Sequence, residues 1–238
     1  MNIKRTQQQV LLLFFIVFLP GAVRAEGQGA AIKGTVKIYD NQGHLKKNQS
    51  GVVVFLDDLE NPPAQVTPPN KNPVITQMNE CFMPNILPVL VGTTVDFPNE
   101  DKVYHNVFSL SKAKSFDLGI YAQGARKAVT FDKTGLVKIY CNIHPQMNAY
   151  ILVLANPYFT VTDIDGHFEV HDIPEGKAVL RTWYPFTKEN PERELIVTRA
   201  GVQDVNLSIL EKVDIQIKED IISIGHKNKW GQDYPAKY

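Results

Sequence analysis

An all-β protein made of two packed units is what this sequence predicts, and three observations predict it. The 238 residues are 44% hydrophobic and include 15 Gly and 15 Pro, so there is apolar chain to bury a core and turn chemistry to break it into short pieces. Short apolar or alternating runs recur at intervals of about ten residues, the pattern of sandwiches and barrels. No apolar stripe of helical period precedes the C-terminal tail. The charge balance, 25 Lys and Arg against 25 Asp and Glu, removes the electrostatic footprint that nucleic acid requires. Two cysteines are too few for a disulfide scaffold.

The chain opens with Lys4 and Arg5, continues through the apolar run Val10–Leu19 and reaches Pro20-Gly21-Ala22-Val23-Arg24-Ala25. A positive start, a short apolar segment and a small-residue exit predict a secretory signal peptide over residues 1–25, cleaved after Ala25. An uncleaved anchor is the alternative. Either way the remainder is expected outside the cytoplasm, periplasmic or otherwise exported, with no integral membrane span in the mature chain. Losing Lys4, Arg5 and Arg24 would leave that remainder mildly acidic.

Ile32–Tyr39 and Val52–Leu56 read as strands within residues 26–58, followed by a proline-rich linker over 59–71. Residues 72–156 carry the runs Val74–Met78, Ile86–Val91, Thr93–Phe97, Tyr104–Ser109, Lys127–Phe131, Leu136–Tyr140 and Tyr150–Leu154. Residues 157–212 carry Phe159–Thr162, His167–Val170, Lys177–Tyr184, Glu194–Val197 and Asp204–Ile209, with hairpin turns at Asp163-Ile164-Asp165-Gly166 and Pro174-Glu175-Gly176. The two N-terminal strands are expected to join this last unit, and residues 213–238 form a tail of unassigned role. Asp163 to Gly166 reads as a turn rather than a calcium loop, since the distal Glu is missing. His44, His167, His171 and His226 read as solvated.

The chemistry concentrates in Cys141-Asn142-Ile143-His144-Pro145-Gln146-Met147. Alternation along Leu136–Tyr140 sends Lys138 outward and Val137, Ile139 and Cys141 inward. One tight loop then delivers a thiolate, an imidazole and a thioether at three-residue steps. Val103, His105 and Val107 share a face on the run before it, so His105 is expected to point inward too. Two His, one Cys and a weak axial Met form the ligand set of a blue-copper electron-transfer centre, and copper is the expected cofactor. In an exported protein two cysteines pair by default, but a Cys81–Cys141 disulfide would destroy this site. Cys81 is therefore read as a lone thiol, and Met78 and Met83 as gap-fillers in the core rather than as a second Cu(I) site with it.

Residues 72–156 resemble the cupredoxins, closest to the amicyanin and plastocyanin type. The resemblance rests on Asn85 to Asn99 leading to His105-Asn106-Val107, and on Phe131-Asp132-Lys133-Thr134-Gly135 leading to the Cys-x-x-His-x-x-Met loop. It implies a Greek-key β-sandwich with one type 1 copper held by His105, Cys141, His144 and Met147. It also implies that His144 presents its ring edge as an electron port, and that Asn106 steadies the cysteine sulfur by hydrogen bonding. The flanking segments, Ile32 to Val36, Gly51 to Leu56, Thr162 to Phe168 and Ile173 to Leu180, are similar to carboxypeptidase-regulatory or transthyretin-like modules, which implies a non-catalytic second small sandwich. The expected function is one-electron carriage between a redox donor and an acceptor, not enzymatic catalysis. A copper carrier or sequestration protein without a redox partner, and a structural or interaction sandwich with a Cys81–Cys141 bond, are the alternatives.

Overall fold

The computed structural model describes residues 29–187 and 189–212; the leader over 1–25 and the tail over 213–238 lie outside the described residues. Within them the chain is all-β. Its strands are β1 (Ala30–Tyr39), β2 (Val53–Asp57), β3 (Thr76–Met78), β4 (Cys81–Met83), β5 (Ile86–Leu90), β6 (Thr93–Pro98), β7 (His105–Leu110) and β8 (Ser115–Tyr121). They continue as β9 (Arg126–Phe131), β10 (Gly135–Tyr140), β11 (Asn148–Leu154), β12 (Phe159–Val161), β13 (His167–Ile173), β14 (Gly176–Trp183), β15 (Glu192–Val197) and β16 (Val202–Leu210).

Two sheets, ordered β13-β1-β16 and β12-β2-β14-β15, enclose one core. Ile32, Val36 and Ile38 of β1 meet Val54 and Leu56 of β2 there, together with Phe168, Leu180, Val197 and Ile209. The parallel pairing of β1 with β16 depends on Gly34, where any Cβ would run into the Val205 carbonyl and the Phe168 ring. A second core lies beneath the five-stranded sheet β5-β11-β10-β7-β8 and the β6-β9 pair. It holds Phe97, Phe131, Val107, Val137, Ile139 and Ile151.

At β11 the five-stranded sheet is covered on both faces. Along β11, Ala149, Ile151 and Val153 join the second core, while Tyr150, Leu152 and Leu154 join Val53 and Ile86 in a third apolar layer. Phe55, Phe159 and Trp183 of the β12-β2-β14-β15 sheet pack on that layer, and the Tyr150 and Trp183 rings lie 5.5 Å apart. Burial on both sides replaces the polar alternation of a surface strand with a continuous apolar run.

Sequence reading misses β4 and β8. The first is only three residues long; the second, Ser115–Tyr121, is half-exposed and includes Gly119 at φ 66, so its pattern is weak. Val103 also departs from expectation. It sits on a bend ahead of β7 and is 41% exposed, because strand alternation begins only at His105.

Candidate metal centre

β10 ends at Tyr140 and β11 begins at Asn148, with Tyr140 and Asn148 paired, so residues 141–147 form the hairpin loop between two core strands. The loop closes on itself. The Cys141 N–H donates to the Met147 carbonyl (3.3 Å) and the Met147 N–H to the His144 carbonyl (2.9 Å). These bonds return the chain sharply enough to bring His144 back over Cys141. His105 opens β7, which is held by β8 through the His105–Tyr121 pairing and by β10 through Phe108–Tyr140.

These elements bring three of the sequence-predicted residues together. One donor atom each from His105, Cys141 and His144 lies within 4.8 Å of the others. His105 Nδ1 is 3.0 Å from His144 Nδ1 and 4.0 Å from Cys141 Sγ. His105 is fully buried, Cys141 is 1% exposed, and the His144 side chain keeps 18% exposure. Met147, 1% exposed, is in the same apolar core as Cys141, with Ile143 against it. Neither cysteine is in a disulfide: Cys141 is buried and Cys81 exposed.

The ring orientation of His105 has a cause outside the predicted set. Asp101 Oδ2 accepts from His105 Nε2 (2.9 Å) and from the Glu80 N–H (2.7 Å). A carboxylate only accepts, so His105 carries its proton on Nε2 and turns the Nδ1 lone pair toward Cys141 and His144. The Glu80 amide, more than His105, holds the Asp101 carboxyl below the usual range. Asn99 fixes the bend that carries Asp101. Its Nδ2 donates to the Val103 and Tyr121 carbonyls (both 3.0 Å), and its Oδ1 accepts from the Asp101 N–H (2.9 Å).

Asn106 is tied to the backbone beside Cys141. Its Oδ1 accepts from the Asn142 N–H (3.0 Å) and its Nδ2 donates to Asp117 Oδ1 (2.8 Å). It thus fixes the backbone next to Cys141 and ties the loop to β8. His144 titrates below the usual histidine range, first because burial strips water from its charged form and then because the two neighbouring imidazoles, His105 and His144, oppose being charged together.

Two imidazole nitrogens 3.0 Å apart beside a buried thiol cannot all keep lone pairs facing one another without a proton or a cation among them. The donor chemistry, thiol plus two imidazoles with a thioether in the same loop, suits copper, and zinc accepts the same nitrogen and sulfur donors. His144 opens onto a depression of about 490 Å³ lined by Lys102, Val103, Tyr104, Ile120 and Ile143. A second group, Asp163, Asp165 and His167, also lies within 4.8 Å but is exposed. There Asp163 Oδ1 accepts the Asp165 and His167 N–H groups, which is turn chemistry.

Met78 and Met83 do not fill the core. They are 37% and 48% exposed, because β3 and β4 turn Gln77 and Phe82 inward instead. Asp101 and Glu80 are the site residues that sequence reasoning missed. A carboxylate four positions ahead of an inward histidine is the signal that would have found Asp101.

No protein-family model and no curated protein matches the chain. Among solved structures it is similar to a purple cupredoxin from Nitrosopumilus maritimus, at 27% identity and a TM-score of 0.32, over 35% of this chain and 100% of that one. It is similar to the copper-containing nitrite reductase of Thermus scotoductus SA-01, at 27% identity and a TM-score of 0.35, over 41% of this chain and 25% of the reductase. It is also similar to amicyanin from Paracoccus versutus, at 21% identity and a TM-score of 0.34, over 37% of this chain and 92% of amicyanin.

Proposed function

We propose that this chain is an exported blue-copper protein, released by removal of residues 1–25, that carries one electron between separate donor and acceptor proteins and is not an enzyme. The observation that carries the reading is the buried convergence of one thiol and two imidazole Nδ1 atoms, with Asp101 setting the tautomer of His105. Copper held there supplies reversible one-electron chemistry between Cu(I) and Cu(II). The chain's residues would supply everything else. Cys141 offers the thiolate, His105 and His144 the two nitrogens, and Met147 the weak fourth donor. Asp101, Asn99 and Asn106 hold those donors still, which keeps their rearrangement between oxidation states small. Burial of Cys141, His105 and Met147 keeps water off the donors. His144 reaches the surface within an apolar rim of Val103, Tyr104, Ile120 and Ile143, a face from which a redox partner can exclude water.

Titration of the protein with Cu(II), followed by visible absorption, tests the reading against Cys141→Ser. An intense thiolate-to-copper band that disappears in C141S is the expected result. Absence of the band in the unsubstituted protein would overturn the blue-copper assignment. A band that forms but is accompanied by slow self-exchange and ready loss of metal to a chelator would replace electron carriage with copper sequestration.

A further inference from the structure

Outside the centre described above, one hairpin collects soft donors. β3 and β4 form a two-stranded ribbon turned by Asn79 and Glu80, which adopt φ 53 and 54. That left-handed pair makes the tightest connection available, so Met78 and Cys81 are direct cross-strand partners. Direct partners share a face, as do residues two apart on one strand, so Met78, Cys81 and Met83 project from the same side. The opposite side, Gln77 and Phe82, is buried. The chain has four Met and two Cys. Apart from Met1 and the residues of the 141–147 loop, all of its sulfur lies on this one exposed surface.

We propose that this hairpin face is a second metal site, which takes Cu(I) on the Cys81 thiolate and the thioethers of Met78 and Met83. Directly opposed residues have Cβ atoms about 5 Å apart, so the Cys81 sulfur and the Met78 thioether can meet at one ion. Met83 reaches the same point through its three flexible bonds. Thiolate and thioether donors select Cu(I) over the hard divalent cations, which prefer oxygen. Binding replaces the thiol proton: Cys81–SH and Cu(I) give Cys81–S–Cu(I), with the proton released to water and no change in oxidation state. The hairpin is also tied to the 141–147 loop. Gln146 Nε2 donates to Glu80 Oε2 (2.9 Å), and Cys81, Met83, Gln146 and Met147 line one groove of about 520 Å³.

The test is an anaerobic titration of the reduced, metal-free protein with Cu(I) against a chromophoric Cu(I) chelator, comparing C141S with C81S/C141S. C141S is expected to keep one tightly bound Cu(I) and C81S/C141S to lose it. Because even an outer partner of a metal ligand is worth about 10- to 100-fold in affinity, M78L or M83L in the C141S background should weaken Cu(I) binding at least about tenfold. Equal Cu(I) uptake by C141S and C81S/C141S would overturn the site. Uptake that survives both methionine changes would reduce it to a solitary thiol and overturn it as a three-sulfur site, and Cys81–Cys81 dimerisation in place of uptake would do the same. Cys81 is exposed, and unchanged circular dichroism in C81S establishes that folding is intact. The Cu(II) band that depends on Cys141 reports separately on the blue-copper reading, so either can fail alone.

Discussion

Replacing Asp101 with Asn keeps the shape of the side chain and removes its charge. In the structure the carboxylate accepts from His105 Nε2 at 2.9 Å and from the Glu80 N–H at 2.7 Å, and it is only 15% exposed, so solvent screens it little. Hydrogen bonds to a charged group contribute about 1.5–3 kcal/mol against roughly 0.5–1.5 for neutral ones. The difference on the His105 bond is therefore about 1.5 kcal/mol, or about tenfold in the affinity of the ring it orients. That sits at the lower edge of the about 10- to 100-fold losses seen when the outer partner of a metal-binding histidine is changed. The second bond, to Glu80, adds a similar loss of fold stability. Competition titration of D101N with Cu(I) and with Cu(II) against chelators reads the first effect, and thermal unfolding of the metal-free protein reads the second. D101A should be worse on both, since it strands two donors. A D101N protein that is less stable but binds copper within about twofold of the original would show that Asp101 only braces the bend, and would refute the orientation argument.

Asn106→Ala removes the acceptor for the Asn142 N–H in a fully buried position; it should cost about 2 kcal/mol and lower Tm by roughly 4–8 °C, measured by calorimetry, while the Cys141 band persists. Leu152→Ala empties part of the apolar layer between the five-stranded sheet and the β12-β2-β14-β15 sheet and should cost about 2–5 kcal/mol in chemical denaturation without altering copper uptake; a loss below about 1 kcal/mol would show that the layer is slack. The Asp163 carboxyl is held below its ordinary value of 3.8, chiefly by the His167 N–H. A carboxyl depressed in the folded state adds stability above its unfolded pKa and loses it as pH falls through the folded one. Asp163→Asn should therefore flatten the stability profile below about pH 4 and leave the slope at neutral pH unchanged.

What could be read from the sequence was whatever depends on local spacing. Cys141, Ile143 and Met147 sit in one loop, so their approach to His144 needs only a hairpin, and alternation along Leu136–Tyr140 and from His105 to Val107 settles which way the sulfur and the first imidazole point. The pairing of β1 with β16 and the contact of Glu80 with the 141–147 loop join residues more than sixty positions apart, and no periodicity reports that. Asp101 escaped notice because it lies on a bend, where alternation has no meaning. Met78 and Met83 were misjudged for a related reason: their alternating partners, Gln77 and Phe82, compete for the same core, and a methionine's apolarity does not say which side of a three-residue strand wins.

The two-sided burial of β11 also governs what that strand can tolerate. A slip of one residue against its neighbours would not push apolar groups into water, as it does in a surface strand, because both faces are already dry. It would exchange Ala149, Ile151 and Val153 for Tyr150, Leu152 and Leu154, forcing a tyrosine into space shaped for an alanine. Alignment here is enforced by volume, not by polarity, and the loop bearing Cys141, His144 and Met147 inherits that alignment at its downstream end.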